Sequence, residues 1–381
     1  MTHRDVFRTL LAGIQPDPAP QWIMSIGGEV AREVIPKELL YDGYDEYPSE
    51  GAYPFAPMGP ERLEAERRFN RHIDRCAFPV GWGANAAFGH CGPGEFNTRV
   101  VEREENRFVV AYETGARREV RRRPHFVHTS HLPVESAGDL DRLTLPDPDD
   151  PARYAGLAED VAWAKARGEW TVAWLNGFFS GVHYFLRDYA AFLLDLAAEP
   201  DFARATIAVL GEWNLAAARR LCETGVDCIG LCDDLGSEKA MLISPAMYES
   251  FIFPWHKRLC DQAHERGVAV HLHSHGAILP IAPRLAEAGF DLLNPLDPDD
   301  SMPLAETRKA VGERMVLCGG MDKHFWDWPE EEQRTFLDSL IATARDNGPF
   351  ILMDSGGVPD SVTREGFDRF LAISGEVRGS T

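Results

Sequence analysis

The stretch Val268-Ala269-Val270-His271-Leu272-His273-Ser274-His275-Gly276 places imidazoles at every second position. On a β-strand alternate side chains share a face. His271, His273 and His275 would then line one side, with Val268, Val270 and Leu272 on the other, and Gly276 would permit a sharp exit. Two imidazoles at i and i+2 near a strand end can share a metal ion, or can hydrogen-bond in a polar pocket without one. His273 and His275 are the candidate metal ligands. His271, set deeper, is a candidate supporting or catalytic group.

The same alternation applies to Val226-Asp227-Cys228-Ile229-Gly230-Leu231-Cys232-Asp233-Asp234. Ile229 and Leu231 would face outward, and Cys228, Gly230, Cys232 and Asp234 inward; Asp233 falls on the other parity. Adjacent carboxylates at a strand end can act as general base, bind a cation, or cap a turn, so Asp234 and Asp233 are both candidate catalytic residues. Asp354, ending Phe350-Ile351-Leu352-Met353-Asp354, is expected to point inward with Phe350 and Leu352 and to supply a third metal ligand. Weaker candidates are Asn294, Asp297, Cys318, Asp322 and His324, together with the His90–Cys91 pair in a glycine-rich segment. His125, His128 and His131 do not alternate onto one face, and their segment reads as a loop. Trp174, Phe178, Phe179, Trp255 and Trp326 would wall a pocket or fill the core.

Elements with a definite rhythm must position these groups. From residue 155 onward, helical stretches alternate with short apolar runs at 170–177, 226–234, 268–276, 290–298, 314–322 and 349–357, and 20–29 is an earlier member. Each run ends in polar or glycine residues, the pattern of buried parallel strands. The expectation is an α/β fold, a TIM (β/α)8 barrel with its site at the C-terminal strand ends. No G-x-G-x-x-G follows the first run, which leaves a dinucleotide-binding sheet unsupported. The barrel is expected to take the whole chain, 1–381, with 30–150 as an elaborated N-terminal region. Within that region, residues 95–124 break at Glu105-Asn106 and Thr114-Gly115 and read as a small antiparallel meander. The basic run Arg117 to Arg123 reads as a solvated strand face, and residues 145–151 (LPDPDDP) punctuate the chain before the rhythm begins.

Composition narrows the partners. A net charge of −21 disfavours nucleic acid and anionic membrane, because phosphate contacts need clustered Lys and Arg. The first residues read as an amphipathic helix without the apolar run of a signal peptide, and seven scattered cysteines suit reduced thiols, so a cytoplasmic protein is expected.

Residues 225–276, with 285–298 (LAEAGFDLLNPLDP), 317–322 (LCGGMD), the opening 4–24 and the ending 351–360 (ILMDSGGVPD), resemble the uroporphyrinogen decarboxylase superfamily, which includes zinc-dependent corrinoid methyltransferases. The resemblance implies a single barrel acting on a small molecule, and relatives that often form homodimers. In the decarboxylase branch, arginines after the first strand clamp the substrate's propionates. Here Ser25 and Glu29 stand in that segment, which disfavours uroporphyrinogen itself. In the methyltransferase branch, zinc is held by an H-x-C motif and a later cysteine. This sequence matches at His273, has His275 for the cysteine, and offers Gly356 with Asp354 two residues earlier. A His-His-Asp set implies zinc, iron or manganese. The resemblance thus implies a divalent-metal-dependent methyltransferase or demethylase with a corrinoid partner protein. A metal-independent decarboxylase of a small acid and a non-catalytic binding protein are the alternatives.

Overall fold

The computed structural model describes residues 1–24, 26, 28–40, 52–54, 59–80, 97–121 and 126–379. Eight parallel strands form the barrel: β1 (Gln21–Trp22), β2 (Ala77–Pro79), β3 (Trp170–Asn176), β4 (Cys228–Cys232), β5 (Ala269–His273), β6 (Leu292–Leu296), β7 (Val316–Gly320) and β8 (Phe350–Met353). They hydrogen-bond in the order β1-β8-β7-β6-β5-β4-β3-β2. The Cys76 N–H donates to the Gln21 carbonyl at 2.9 Å and joins the two ends of that series. Seven strands coincide with the apolar runs. The remaining one, β2, has only three residues including Pro79, too short for any periodicity to reveal.

Alternation divides the strands into two apolar sets. Ala173, Leu175, Ile229, Leu231, Val270, Leu272, Leu317, Phe350 and Leu352 belong to the outer core under the helices. Trp22, Trp170, Val172, Trp174, Cys228, Ala269, Val316, Cys318, Ile351 and Met353 fill the barrel interior. Burying each of the larger aliphatic side chains contributes roughly 1.5–3 kcal/mol, so a one-residue slip of any strand would cost several such terms. The expected orientations hold for β4 and β5. They fail for β8, where Phe350 and Leu352 face the helices and Ile351 and Met353 face inward.

The barrel floor is closed by the first helix, His3–Leu11, whose start is fixed by a reciprocal Thr2–Asp5 capping box. Its Phe7 lies flat on Trp170, centroids 4.7 Å apart. Gly230 leaves room inside β4: a Cβ there would come within 2.2 Å of the Trp174 indole.

A five-stranded antiparallel sheet, one strand from before β2 and four from between β2 and β3, runs in the order Ala52–Pro54, Asn97–Arg103, Arg107–Ala111, Arg117–Arg121, Phe126–His131. The meander's two breaks are its turns. The reading of the last segment as a loop is corrected: Phe126–His131 pairs with Arg117–Arg121. It is an edge strand with His128 and His131 exposed, so it needs no apolar face and shows no alternation. His90, Cys91, His125, Ser25, Arg122 and Arg123 lie outside the described residues. No helix among the described residues is long and apolar enough to cross a membrane.

Candidate active site at the barrel mouth

The histidine row splits with height. His271 is wholly buried in the interior, its ring 5.1 Å from Trp22 and 5.3 Å from Trp174. Neither ring nitrogen has a hydrogen-bond partner. Burial, with the His273 imidazole adding to it and the nearby Asn294 amide opposing it, pushes its pKa down to about 3, so it stays neutral. It supports the site from below and does not reach the mouth directly.

His273 and His275 emerge at the end of β5, ring centroids 4.7 Å apart and planes at 83°. The Asn294 amide, on the adjacent β6, lies 3.0 Å from His273 Nδ1. As placed, Asn294 Nδ2 donates to Nδ1. A half turn of the amide would present Oδ1 to an Nδ1–H, so this partner can serve either tautomer.

Asp234 faces them from the end of β4. Its Oδ1 accepts the His275 backbone N–H at 2.9 Å and lies 3.9 Å from His273 Nε2, with about a third of the side chain exposed (34%). Burial alone would raise its pKa, but His273, His275 and the His275 N–H outweigh it and hold the carboxyl below its usual value. The backbone N–H of Asp234 donates to Ser180 Oγ at 2.7 Å, tying β4 to the helix Ser180–Phe185 that follows β3.

Asp233, one residue earlier, is turned away. Its carboxylate accepts the N–H groups of Phe178 (3.1 Å), Phe179 (2.9 Å) and Ser180 (2.8 Å), and pairs with His256 Nε2 at 2.9 Å. His256 Nδ1 lies 3.1 Å from the Tyr248 hydroxyl. Gly177 permits this approach, since a Cβ there would stand 2.1 Å from the Asp233 carboxyl carbon. The expected catalytic role for Asp233 therefore gives way to an architectural one, because its oxygens are spent on the loop after β3.

Asp354 is anchored elsewhere through one of its oxygens. Its Oδ1 accepts the Met24 N–H at 2.6 Å, while Oδ2 is buried without a partner. Burial pushes its pKa up to about 6 against the Met24 and Gly357 N–H groups. The residue that approaches His275 from this side is Gly356, as a Cβ there would lie 3.5 Å from the ring.

Two imidazoles and a carboxylate are donor types that zinc, iron(II) or manganese accept. Donors sharing a tetrahedral zinc sit roughly 3.3 Å apart, given bonds near 2.0 Å. The 3.9 Å between His273 Nε2 and Asp234 Oδ1 exceeds that, and Oδ1 already accepts the His275 N–H. Among the described residues no group of three or more His, Cys, Asp or Glu side chains could hold a metal ion. The set His273, His275 and Asp354 does not converge on one ion.

The weaker candidates are accounted for by local roles. Cys318 is a buried apolar filler whose thiol is pushed far up by burial. Asp297 accepts the Ser355 hydroxyl (2.5 Å) and the Asp299 N–H (2.9 Å). Asp322 caps the turn at His324, and Lys323 bridges Glu238 and Asp299. Phe178, Phe179 and Trp326 are packed into the core, with Trp255 stacked on Phe178.

Sequence reasoning missed His183 and Tyr184, which follow β3 on the helix Ser180–Phe185. His183 packs against Tyr184 (4.4 Å) and Tyr189 (5.0 Å). Burial pushes its pKa down to about 4, against the pull of Asp233 and Asp234. Tyr184 is pushed up to about 12 by burial and by Asp234. The available signal was position: both come just beyond a strand end, as active-site residues of such barrels do.

A (β/α)8 barrel with a carboxylate and two imidazoles at its C-terminal mouth is the class that fold and site define. The chain belongs to the uroporphyrinogen decarboxylase family, whose model, described as Uroporphyrinogen decarboxylase (URO-D), matches residues 119–375. A uroporphyrinogen decarboxylase from Myxococcus xanthus (strain DK1622) is 24% identical over 246 residues, covering 62% of this chain. The match spans 66% of that relative's length. Among solved structures, a methyltransferase from Methanosarcina mazei superposes with a TM-score of 0.66 at 13% identity, covering 99% of each chain. That likeness is one of fold.

Proposed function

We propose that this family member is a small-molecule enzyme that transfers a methyl group, with His273 and Asp234 handling the proton at the leaving oxygen or nitrogen. The carrying observation is the placement of Asp234 Oδ1 3.9 Å from His273 Nε2, with Asn294 fixed on the other ring nitrogen. The gap is too long for a hydrogen bond. A substrate heteroatom set there would take a proton from Nε2, while the carboxylate stabilises the imidazolium before transfer. The methyl acceptor in this reading is a corrinoid on a partner protein, as the family resemblance implies. The full-length likeness in fold to a protein named a methyltransferase supports methyl transfer as the reaction class.

The family's own description supports a second reading, decarboxylation of a small acid with His273 protonating a carbanion-like intermediate. The anionic Asp234 disfavours it, because a substrate carboxylate would meet a like charge. Among the described residues, Arg75 is occupied by the Ile23 and Met24 carbonyls, and Arg118 donates through Nη2 to that of Tyr184.

The test mixes tag-free protein with methoxy and methylamine donors and reduced cobalamin, following methylcobalamin by absorbance. Methylation by one donor class, lowered on the order of 10²–10⁴-fold in His273→Ala, is expected. Carbon dioxide release from small acids instead, or methylation indifferent to His273, would overturn the proposal.

A further inference from the structure

Among the described residues, Arg118 ties the antiparallel sheet to the helix that follows β3. Arg117 and Arg121 are exposed, as a solvated strand face requires, but Arg118 is turned inward. Its Nη2 donates to the Tyr184 carbonyl at 3.1 Å. The guanidinium lies 4.8 Å from the Tyr184 ring centroid, 5.0 Å from Tyr112 and 5.1 Å from Phe185. The helix Ser180–Phe185 is thus gripped at both ends: Asp233 accepts the N–H groups at its start, and Arg118 holds its last turn. Between them Ser180 Oγ accepts the Asp234 N–H, and the Asp234 charge raises the proton affinity of both His183 and Tyr184.

We infer that Arg118 is a positioning residue for the Asp234 centre: from a sheet outside the barrel it holds the last turn of the helix whose Ser180 Oγ accepts the Asp234 N–H. The inference rests on the reading of Asp234 and His273 as the reaction centre. Arginine suits the task because a planar guanidinium can stack on rings and still donate in its plane. Lysine keeps the charge but loses both properties. The rings of Phe179, Tyr184 and Tyr189 pack on His183, and the charges that act on it are Asp233 and Asp234 from β4 and Arg118 from the sheet.

The test follows the His183 Cε1–H signal by NMR in histidine-labelled full-length protein, assigned with His183→Gln. Arg118 and burial act together to keep this imidazole neutral, while Asp233 and Asp234 oppose them. In Arg118→Met the midpoint should rise by about half a unit, a threefold gain in proton affinity, with shifts in the Tyr184 ring signals. Arg118→Lys should fall between parent and Met, and it carries the test alone if the Met variant does not fold. A midpoint moved by less than about 0.1 unit in these variants would overturn the inference. So would a His183 midpoint that Asp234→Asn fails to lower, since that carboxylate would then not act on the turn. An intact clamp in a protein that fails the methyl-transfer assay would sink the proposed function alone.

Discussion

Asp233 and Asp234 are neighbours in sequence at the end of β4, yet they serve opposite sides of the strand. The Asp233 side is a closed polar network: three backbone N–H groups, His256 behind them and Tyr248 behind that, with carboxylate and imidazole both wholly buried. The Asp234 side is open, with one backbone N–H, imidazoles at a distance and a third of the side chain in solvent. A buried anion has to be saturated by donors to be tolerated, and a saturated anion has nothing left for a substrate. An exposed, incompletely satisfied anion contributes little to stability and keeps its capacity for chemistry. Between adjacent positions, the strand's alternation makes this division.

That contrast can be broken first where it is strongest. Asp233→Ala leaves several buried donors, including His256, without their acceptor, and should cost about 3–5 kcal/mol of unfolding free energy by denaturant titration. A loss below about 1 kcal/mol would mean the closed network is not structural. On the open side, His273→Ala removes a buried ring and its Asn294 contact and should cost about 1–2 kcal/mol, less than Asp233→Ala, while methyl transfer falls on the order of 10²–10⁴-fold. Equal losses of stability and activity would erase the distinction.

The next contrast runs down β5. His271 has its folded pKa lowered to about 3, so the unfolded chain binds a proton below about pH 6.5 that the folded chain refuses. Its contribution is therefore present above pH 6.5 and lost as pH falls towards 3. Between pH 6.5 and 5 the loss should be about 2 kcal/mol, and His271→Phe should flatten that part of the stability profile. Persistence of the same slope in the variant would assign it to other groups. The smallest effect is expected from Tyr248→Phe, which removes the hydroxyl behind His256 and should cost about 1 kcal/mol. A change larger than the Asp233 substitution would place the centre of the network at Tyr248.

The barrel was legible because its strands are buried on both faces and flanked by turn chemistry, a pattern that survives in one dimension. β2 was not, being three residues long, and neither was the edge strand Phe126–His131, whose His128 and His131 are exposed. The inward parity of His271 and His273 could be counted from Val270 and Leu272. The same counting failed at Asp354 because β8 is apolar on both parities, with Phe350, Ile351, Leu352 and Met353 all buried, and nothing in the letters marks the inner set. His183, Tyr184 and Arg118 carried no motif. They meet across a sheet and a helix 66 positions apart, as the Arg118–Tyr184 bond records.

Sequence alone determined the architecture and the strand ends where chemistry could sit, since periodicity and turn residues are local properties that fold in only a few ways. Which carboxylate is free to act was decided by tertiary structure, because satisfaction of a buried charge depends on donors from distant segments. Phe178 to Ser180 and His256 claim Asp233, Met24 claims Asp354, and Asp234 is left facing the imidazoles. Desolvation and hydrogen bonding are set in three dimensions, and they alone separate aspartates that the sequence writes identically.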